Sequence, residues 1–174
     1  AKPRIALVNN VMPAHIEGFG SLAAVREEKL RIYSGLSPAG TAIINLDDDY
    51  AACALKLGHR AIGYSLSGLS DASCISSSAQ NIERKTSGAW GFTWVIEGIC
   101  VPIKLAVLGQ HNVANALAAA TMAWAAGIST TAIASGLAAC DGEKGRMQAK
   151  IAPTGAILVD DTYNANPGSV AAAI

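Results

Sequence analysis

Residues 41–65 read "TAIINLDDDYAACALKLGHRAIGYS". Thr41–Leu46 is a short apolar run and reads as a strand. Asp47–Asp49 follow it. A short helix then reaches about Leu57, with Gly58 as its stop, and Ala61–Ser65 is the next strand. Strand, helix and strand at this spacing imply parallel pairing through a right-handed crossover.

Towards the N-terminus, Arg4–Asn9, "RIALVN", is an apolar run between Pro3 and Asn9-Asn10 and reads as a buried parallel strand. A polar loop, "NVMPAHIEGFGS", leads to Ser21. Ser21 caps a helix running to about Tyr33, and Gly35 ends it. The unit is α/β, with a mainly parallel sheet and flanking helices.

After Ser76 the pattern changes. Trp90, Phe92, Trp94 and Ile96 alternate with smaller or polar residues, and Val101, Ile103, Leu105 and Val107 do the same. A Glu97-Gly98 turn pairs Ile96 with Ile99, Trp94 with Val101 and Phe92 with Ile103. Both apolar sets then share one face, which predicts an antiparallel hairpin. Asn112–Ala126 reads as a helix ended by Gly127, and Ser129 or Thr130 caps another reaching about Ala139. Beyond "CDGEKG", Met147–Ala152 and Ala156–Val159 flank "PTG". A Thr154-Gly155 turn there places Arg146 opposite Tyr163 and close to Asp161. The polar connection at Asp141–Lys144 marks a domain boundary, giving domains 1–143 and 144–174.

The 174 residues carry 13 basic and 13 acidic side chains, so no polyanion-binding surface and no nucleic-acid partner are expected. The alanine-rich stretch Ala114–Ala126 is too short to span a bilayer. No signal peptide is visible at the N-terminus, and a monomeric cytoplasmic protein is expected. Cys53, Cys74, Cys100 and Cys140 have no metal or redox spacing and read as four free, buried thiols.

The phosphate-loop pattern G-x-x-x-x-G-K-[ST] is absent. Lys85-Thr86 lacks the preceding glycine and leads into a hairpin rather than a helix. Three other stretches could carry chemistry. His15 lies in a loop just past a parallel strand, where open α/β sheets bind ligands, although an ordinary loop histidine looks the same. Lys29, in "REEKLRIYSG", is by default a solvated lysine paired with a nearby acid. Arg146 and "DDTYNAN", with Asp161, Tyr163, Asn164 and Asn166, could grip ribose and phosphate, or could be turn residues bonding their own backbone.

Taken together, "ALVNN…AHIEGFGS", "IYSGL", "GTAIINLDD", "LGQHNVANALAAA" and "ILVDDTYNANPGS" resemble the Mur ligases of peptidoglycan synthesis, in that family's order and across nearly the whole chain. The resemblance implies the later part of a central ATPase domain, followed by the first strand and helix of a Rossmann-like C-terminal domain. The phosphate loop would lie upstream, and the isolated piece would be inactive. It also implies an ATP- and Mg²⁺-dependent ligase that activates a peptide carboxylate as an acyl phosphate. The implied substrates are UDP-N-acetylmuramoyl-tripeptide and D-alanyl-D-alanine.

By the same resemblance, Lys29 is the lysine that becomes carbamylated, and His15 assists the second Mg²⁺. Asn112 and Asn115 lie on the adenine side. Arg146 reaches the terminal phosphate, and Asp161 holds the ribose hydroxyls. Arg31, two residues after Lys29, departs from this pattern and is more like a D-glutamate-adding member. A D-glutamate-adding or folylpolyglutamate-type ligase, and a stand-alone nucleotide- or partner-binding module, are the alternatives.

Overall fold

The computed structural model describes residues 2–13, 16–86, 88–146, 148–163 and 170. Six strands form one sheet in sequence order: β1 (Ile5–Val8), β2 (Thr41–Asn45), β3 (Arg60–Ser65), β4 (Ile75–Arg84), β5 (Trp90–Ile96) and β6 (Ile99–Lys104). β1 to β4 pair in parallel, and β4, β5 and β6 pair antiparallel. The expected hairpin is therefore the far edge of the main sheet. Its register is as read, with Ile96 opposite Ile99, Trp94 opposite Val101 and Phe92 opposite Ile103. Glu97 (φ 46°) and Gly98 (φ 78°) both adopt positive φ, the backbone that a two-residue hairpin turn requires.

Helices cover both faces. α2 (Leu22–Ser34) and α3 (Ala51–Leu55) lie over one face, where Tyr33, Leu36, Ala42, Ile44, Tyr50 and Ala54 form a core. The other face packs against α4 (His111–Ala125) and α5 (Thr130–Ala138), with Ile43, Ile62, Trp94, Ile103, Val113 and Leu117 at its centre. β2 shows why a near-continuous apolar run marks a strand buried on both sides. Ala42 and Ile44 face one core and Ile43 the other, all at 1% exposure or less. Ser21 caps α2 by accepting the Ala24 N–H, and Ser129 caps α5 by accepting that of Ala132.

Four features differ from the reading of the sequence. A single helical turn, α1 (Ile16–Phe19), interrupts the expected polar loop. β4 had no expected counterpart, because serine sits where an apolar residue would signal a core position. Ser77 is 1% exposed; its Oγ bonds the Thr121 hydroxyl at 2.7 Å and accepts Trp94 Nε1–H at 3.0 Å. The cysteines are not all buried: Cys53, Cys100 and Cys140 are exposed and only Cys74 is partly covered. Cys53 lies in a shallow surface hollow with α2 residues, and Cys100 lies on the edge strand.

The fourth difference is a register. β7 (Gln148–Ile151) and β8 (Ile157–Asp160) form a separate two-stranded sheet in which Gln148 faces Asp160. The expected Thr154-Gly155 turn would have placed the pairs one residue later. Instead the loop has three residues. Gly155 N–H donates to Ala152 O at 2.9 Å, and Ala152 N–H to Ala156 O at 2.8 Å. Pro153 suits the first corner, and Gly155 at φ 83° supplies the left-handed residue that closes such a loop. Gly145, not Arg146, thus meets Tyr163, whose N–H reaches the Gly145 carbonyl at 3.1 Å. Met147 and the residues after Tyr163 expected to begin a helix, Val170 apart, lie outside the described residues.

Candidate functional site

The parallel strands end in polar residues at one edge of the sheet. Asn9 and Asn10 follow β1, Asn45 closes β2 with Asp47 and Asp48 just beyond, and Tyr64 and Ser65 close β3. Strand carboxyl ends are where open α/β sheets hold ligands. Buried tyrosines tie this edge together. Tyr33 Oη accepts the Val8 N–H at 3.1 Å and donates to Ile43 O at 2.7 Å. The Tyr50 hydroxyl donates to Val8 O and accepts the Asn45 N–H at 2.9 Å. Burial pushes the Tyr33, Tyr50 and Tyr64 hydroxyls above the ordinary phenol value, so they stay neutral and serve as hydrogen-bonding groups.

Two aspartates secure the loops. Asp48 Oδ2 accepts the Val11 N–H at 2.8 Å, holding the chain that leaves β1. Asp47 accepts Ser65 Oγ–H at 2.6 Å and Leu66 N–H at 2.6 Å. Burial alone would raise the Asp47 carboxyl, but hydrogen bonds from Ser65, Ser67 and the Leu66 and Ser67 amides outweigh it and hold it below its usual value.

α4 brings its first turns to this edge. The Tyr64 hydroxyl donates to Asn9 Oδ1 at 2.7 Å, and Asn9 Nδ2 donates to Asn115 Oδ1 at 3.0 Å. Asn115 Nδ2 donates to Asn112 Oδ1 at 3.0 Å, and Asn112 Nδ2 to Leu108 O at 2.7 Å. Beside them opens a cleft of about 480 Å³. Asn112, Asn115, Arg146 and Asp161 all line it, with Leu105, Val107, Ala116 and Leu137 as apolar wall. Four predicted residues from distant parts of the chain are thus brought together.

The other predicted residues fall elsewhere. Tyr163 lies beneath Arg146, whose guanidinium carbon is 4.2 Å from the ring centroid, a cation–π contact. Lys29 is exposed and donates from Nζ to the Asn10 carbonyl at 2.9 Å, so it reaches back to the end of β1. His15, Asn164 and Asn166 lie outside the described residues. Arg31 pairs with Glu28 at 2.9 Å on the outer surface of α2. Among the described residues, no group of three or more His, Cys, Asp or Glu could hold a metal ion. Asn9, Tyr64 and Asp47 were not expected at the site. The available signal was their position, immediately past or at the end of a predicted parallel strand.

The model of the Mur ligase middle domain matches residues 1–123. The chain belongs to the Mur ligase family. Over 174 residues it is 40% identical to the UDP-N-acetylmuramoyl-tripeptide–D-alanyl-D-alanine ligase of Haemophilus influenzae, covering 99% of this chain and 36% of that protein. The Escherichia coli enzyme of the same name is also 40% identical, with 38% of its length covered. This Mur ligase chain therefore spans little more than a third of these relatives. A crystal structure of MurF from Acinetobacter baumannii superposes with a TM-score of 0.86 at 32% identity, covering 98% of this chain and 36% of that one. MurF from Thermotoga maritima, solved in complex with ADP, shares the fold at a TM-score of 0.82 and 21% identity; this chain is covered to 99% and that one to 38%.

Proposed function

We propose that this chain is the nucleotide-gripping part of a ligase that uses ATP to join D-alanyl-D-alanine to UDP-N-acetylmuramoyl-tripeptide in peptidoglycan precursor synthesis. The observation that carries this reading is the convergence of Asn112, Asn115, Arg146 and Asp161 on one cleft. The 40% identity to ligases of that name supports the choice of substrates. Arg31, the residue more like a D-glutamate-adding member, forms an exposed ion pair with Glu28. The 1–143 and 144–174 division, a monomeric state and a cytoplasmic setting belong to the same proposal. Among the described residues, no helix is long and apolar enough to cross a membrane.

The cleft fits the nucleoside end of ATP. Its apolar wall suits a flat base, and the two asparagine amides offer both donors and acceptors to a base edge. Asp161, in the cleft wall, would accept from ribose hydroxyls. Arg146 is the only Lys or Arg among the described residues lining the cleft and, leaving Tyr163, would meet phosphate oxygens. Bound ATP supplies the phosphoryl group that activates the carboxylate for attack by the amine. Tyr163, Asn164 and Asn166 complete the proposed nucleotide set.

Magnesium is a different case. It prefers hard oxygen ligands, and Lys29 as an ammonium donating to Asn10 offers none. The described residues do not by themselves fit Mg²⁺. Carbamylation would turn Lys29 into an anion with two oxygens, and with His15 it is the proposed metal-side pair. A carbamate resonance at Lys29 in ¹³C-bicarbonate is the readout for that modification.

The 174 residues contain no phosphate loop, so the chain alone is expected to bind ATP without turning it over. Calorimetric titration with ATP, alongside a phosphate-release assay, tests this. Saturable binding weakened by Asp161→Ala, with no phosphate released, is expected. Absence of binding, or binding indifferent to Asp161→Ala, refutes the reading.

A further inference from the structure

A single peptide group, joining Asn10 to Val11 at the exit of β1, lies between Asp48 and Lys29. Its N–H donates to Asp48 Oδ2 at 2.8 Å, and its carbonyl accepts from Lys29 Nζ at 2.9 Å. In a trans peptide the N–H and C=O point in opposite directions, so one rigid plane carries both bonds. Half a turn of that plane would set the carbonyl against the Asp48 carboxylate and the N–H against the ammonium. The two charges thus hold the same orientation from opposite sides, and each bond polarises the other. Asp48 is itself fixed at the start of α3. Its Oδ1 accepts the Tyr50 N–H at 3.2 Å, and its carbonyl accepts the Ala51 N–H at 3.0 Å. The preceding carbonyl, that of Asn9, accepts from Asn45 Nδ2 at 3.0 Å. Lys29 is exposed on α2 and reaches this rigid edge through the Asn10 carbonyl.

We propose that Asp48 is a positioning residue for Lys29: it turns the Asn10 carbonyl towards Nζ and so fixes the direction in which a carbamate on that nitrogen points. This rests on the carbamylation of Lys29 proposed above. In that reaction the ammonium gives up two protons to water and the Nζ lone pair bonds to the carbon of CO2. One C=O bonding pair becomes the negative charge of the carbamate, and one N–H remains on Nζ. That N–H is the group able to keep the bond to Asn10. With the nitrogen planar, a bond on one side leaves the carboxylate on the other, away from the like charge of the Asn10 carbonyl oxygen. A carbonyl free to turn would give the carbamate no fixed direction. Asp48 acts through the peptide.

The test uses the whole chain, ¹⁵N-labelled, in ¹³C-bicarbonate. The carbamate of Lys29 is recognised by its loss in Lys29→Met, and the readout is the exchange of its N–H with water. In the wild type that exchange should be about fivefold slower than at the carbamates of other exposed lysines, the size of one hydrogen bond. Asp48→Ala should remove the difference. Ser77→Ala, a change in the core beneath α4, should lower stability and keep the wild-type rate, which separates positioning from general loosening. If Asp48→Ala does not fold, the Val11 amide decides. Lys29→Met should shift its resonance, because the carbonyl of the same peptide loses its donor. Three results overturn the role of Asp48 and leave the carbamylation of Lys29 standing: a Lys29 carbamate N–H that exchanges as fast as the others, an Asp48→Ala variant that exchanges no faster than wild type, or a Val11 resonance indifferent to Lys29→Met. Absence of any carbamate at Lys29 overturns both.

Discussion

Asn9 Nδ2 donates to Asn115 Oδ1 at 3.0 Å across 106 residues of sequence. This bond ties the end of the first parallel strand to the exposed side of the helix that lines the cleft. The sheet edge and the cleft are therefore one structure, and changes on the two sides should be felt differently by stability and by nucleotide binding.

Arg146 and Asp161 line the cleft together, but their substitution should have different consequences in a complete ligase containing this chain. Arg146→Ala removes charge stabilisation that grows as the phosphoryl group transfers, so it should lower kcat by about a hundredfold. Asp161→Ala removes a contact made equally in ground and transition states, so it should mainly raise the KM for ATP. Steady-state kinetics beside melting temperatures check this. Near-normal kinetics with lowered melting temperatures would show that both residues serve only the β7–β8 hairpin.

Ser77→Ala tests the buried polar group that hid β4. The variant leaves the indole N–H of Trp94, itself 0% exposed, without its acceptor. An unpaired buried donor costs about 1–3 kcal/mol. Urea unfolding should show a lower midpoint with an unchanged slope. A midpoint equal to wild type would mean that Trp94 finds another acceptor.

How much of the fold was legible in the sequence depends on how local its cause is. The β5–β6 hairpin follows from alternating apolar residues and a Glu97-Gly98 turn, all within fifteen residues, and its register came out as read. β4 was hidden because Ser77 is satisfied by Thr121 and Trp94, partners that no local pattern announces. The β7–β8 slip came from Pro153 and Gly155 making a three-residue loop where two residues were expected. In the site, Asn112 and Asn115 rest on the family resemblance alone, whereas Arg146 and Asp161 also stand out as a polar cluster beside a strand end. Asn9 and Tyr64 stayed invisible because their role consists of hydrogen bonds spanning 106 and 55 residues.

Asp160 gives a pH test of that hairpin. Hydrogen bonds from Lys150 and Thr162 lower its carboxyl to about 2. A depressed folded pKa contributes stability that is fully present above the unfolded value, about 3.9, and is lost as pH falls through about 2. Titration of the Asp160 carboxyl carbon by NMR should show a midpoint near that lower value. Lys150→Met should move it up towards the ordinary range. A midpoint unmoved by Lys150→Met would remove the ion pair as its main cause.

Occupation by ATP of the cleft lined by Asn112 and Asn115 can be read at Cys140, an exposed thiol in the same lining. Cys53 and Cys100 are exposed outside it and serve as internal references. The measurement is the alkylation rate of each cysteine, read by mass spectrometry with and without saturating ATP. ATP should slow Cys140 several-fold and leave Cys53 and Cys100 unchanged. Labelling of Cys140 at the same rate with ATP as without it would mean that ATP does not occupy this cleft.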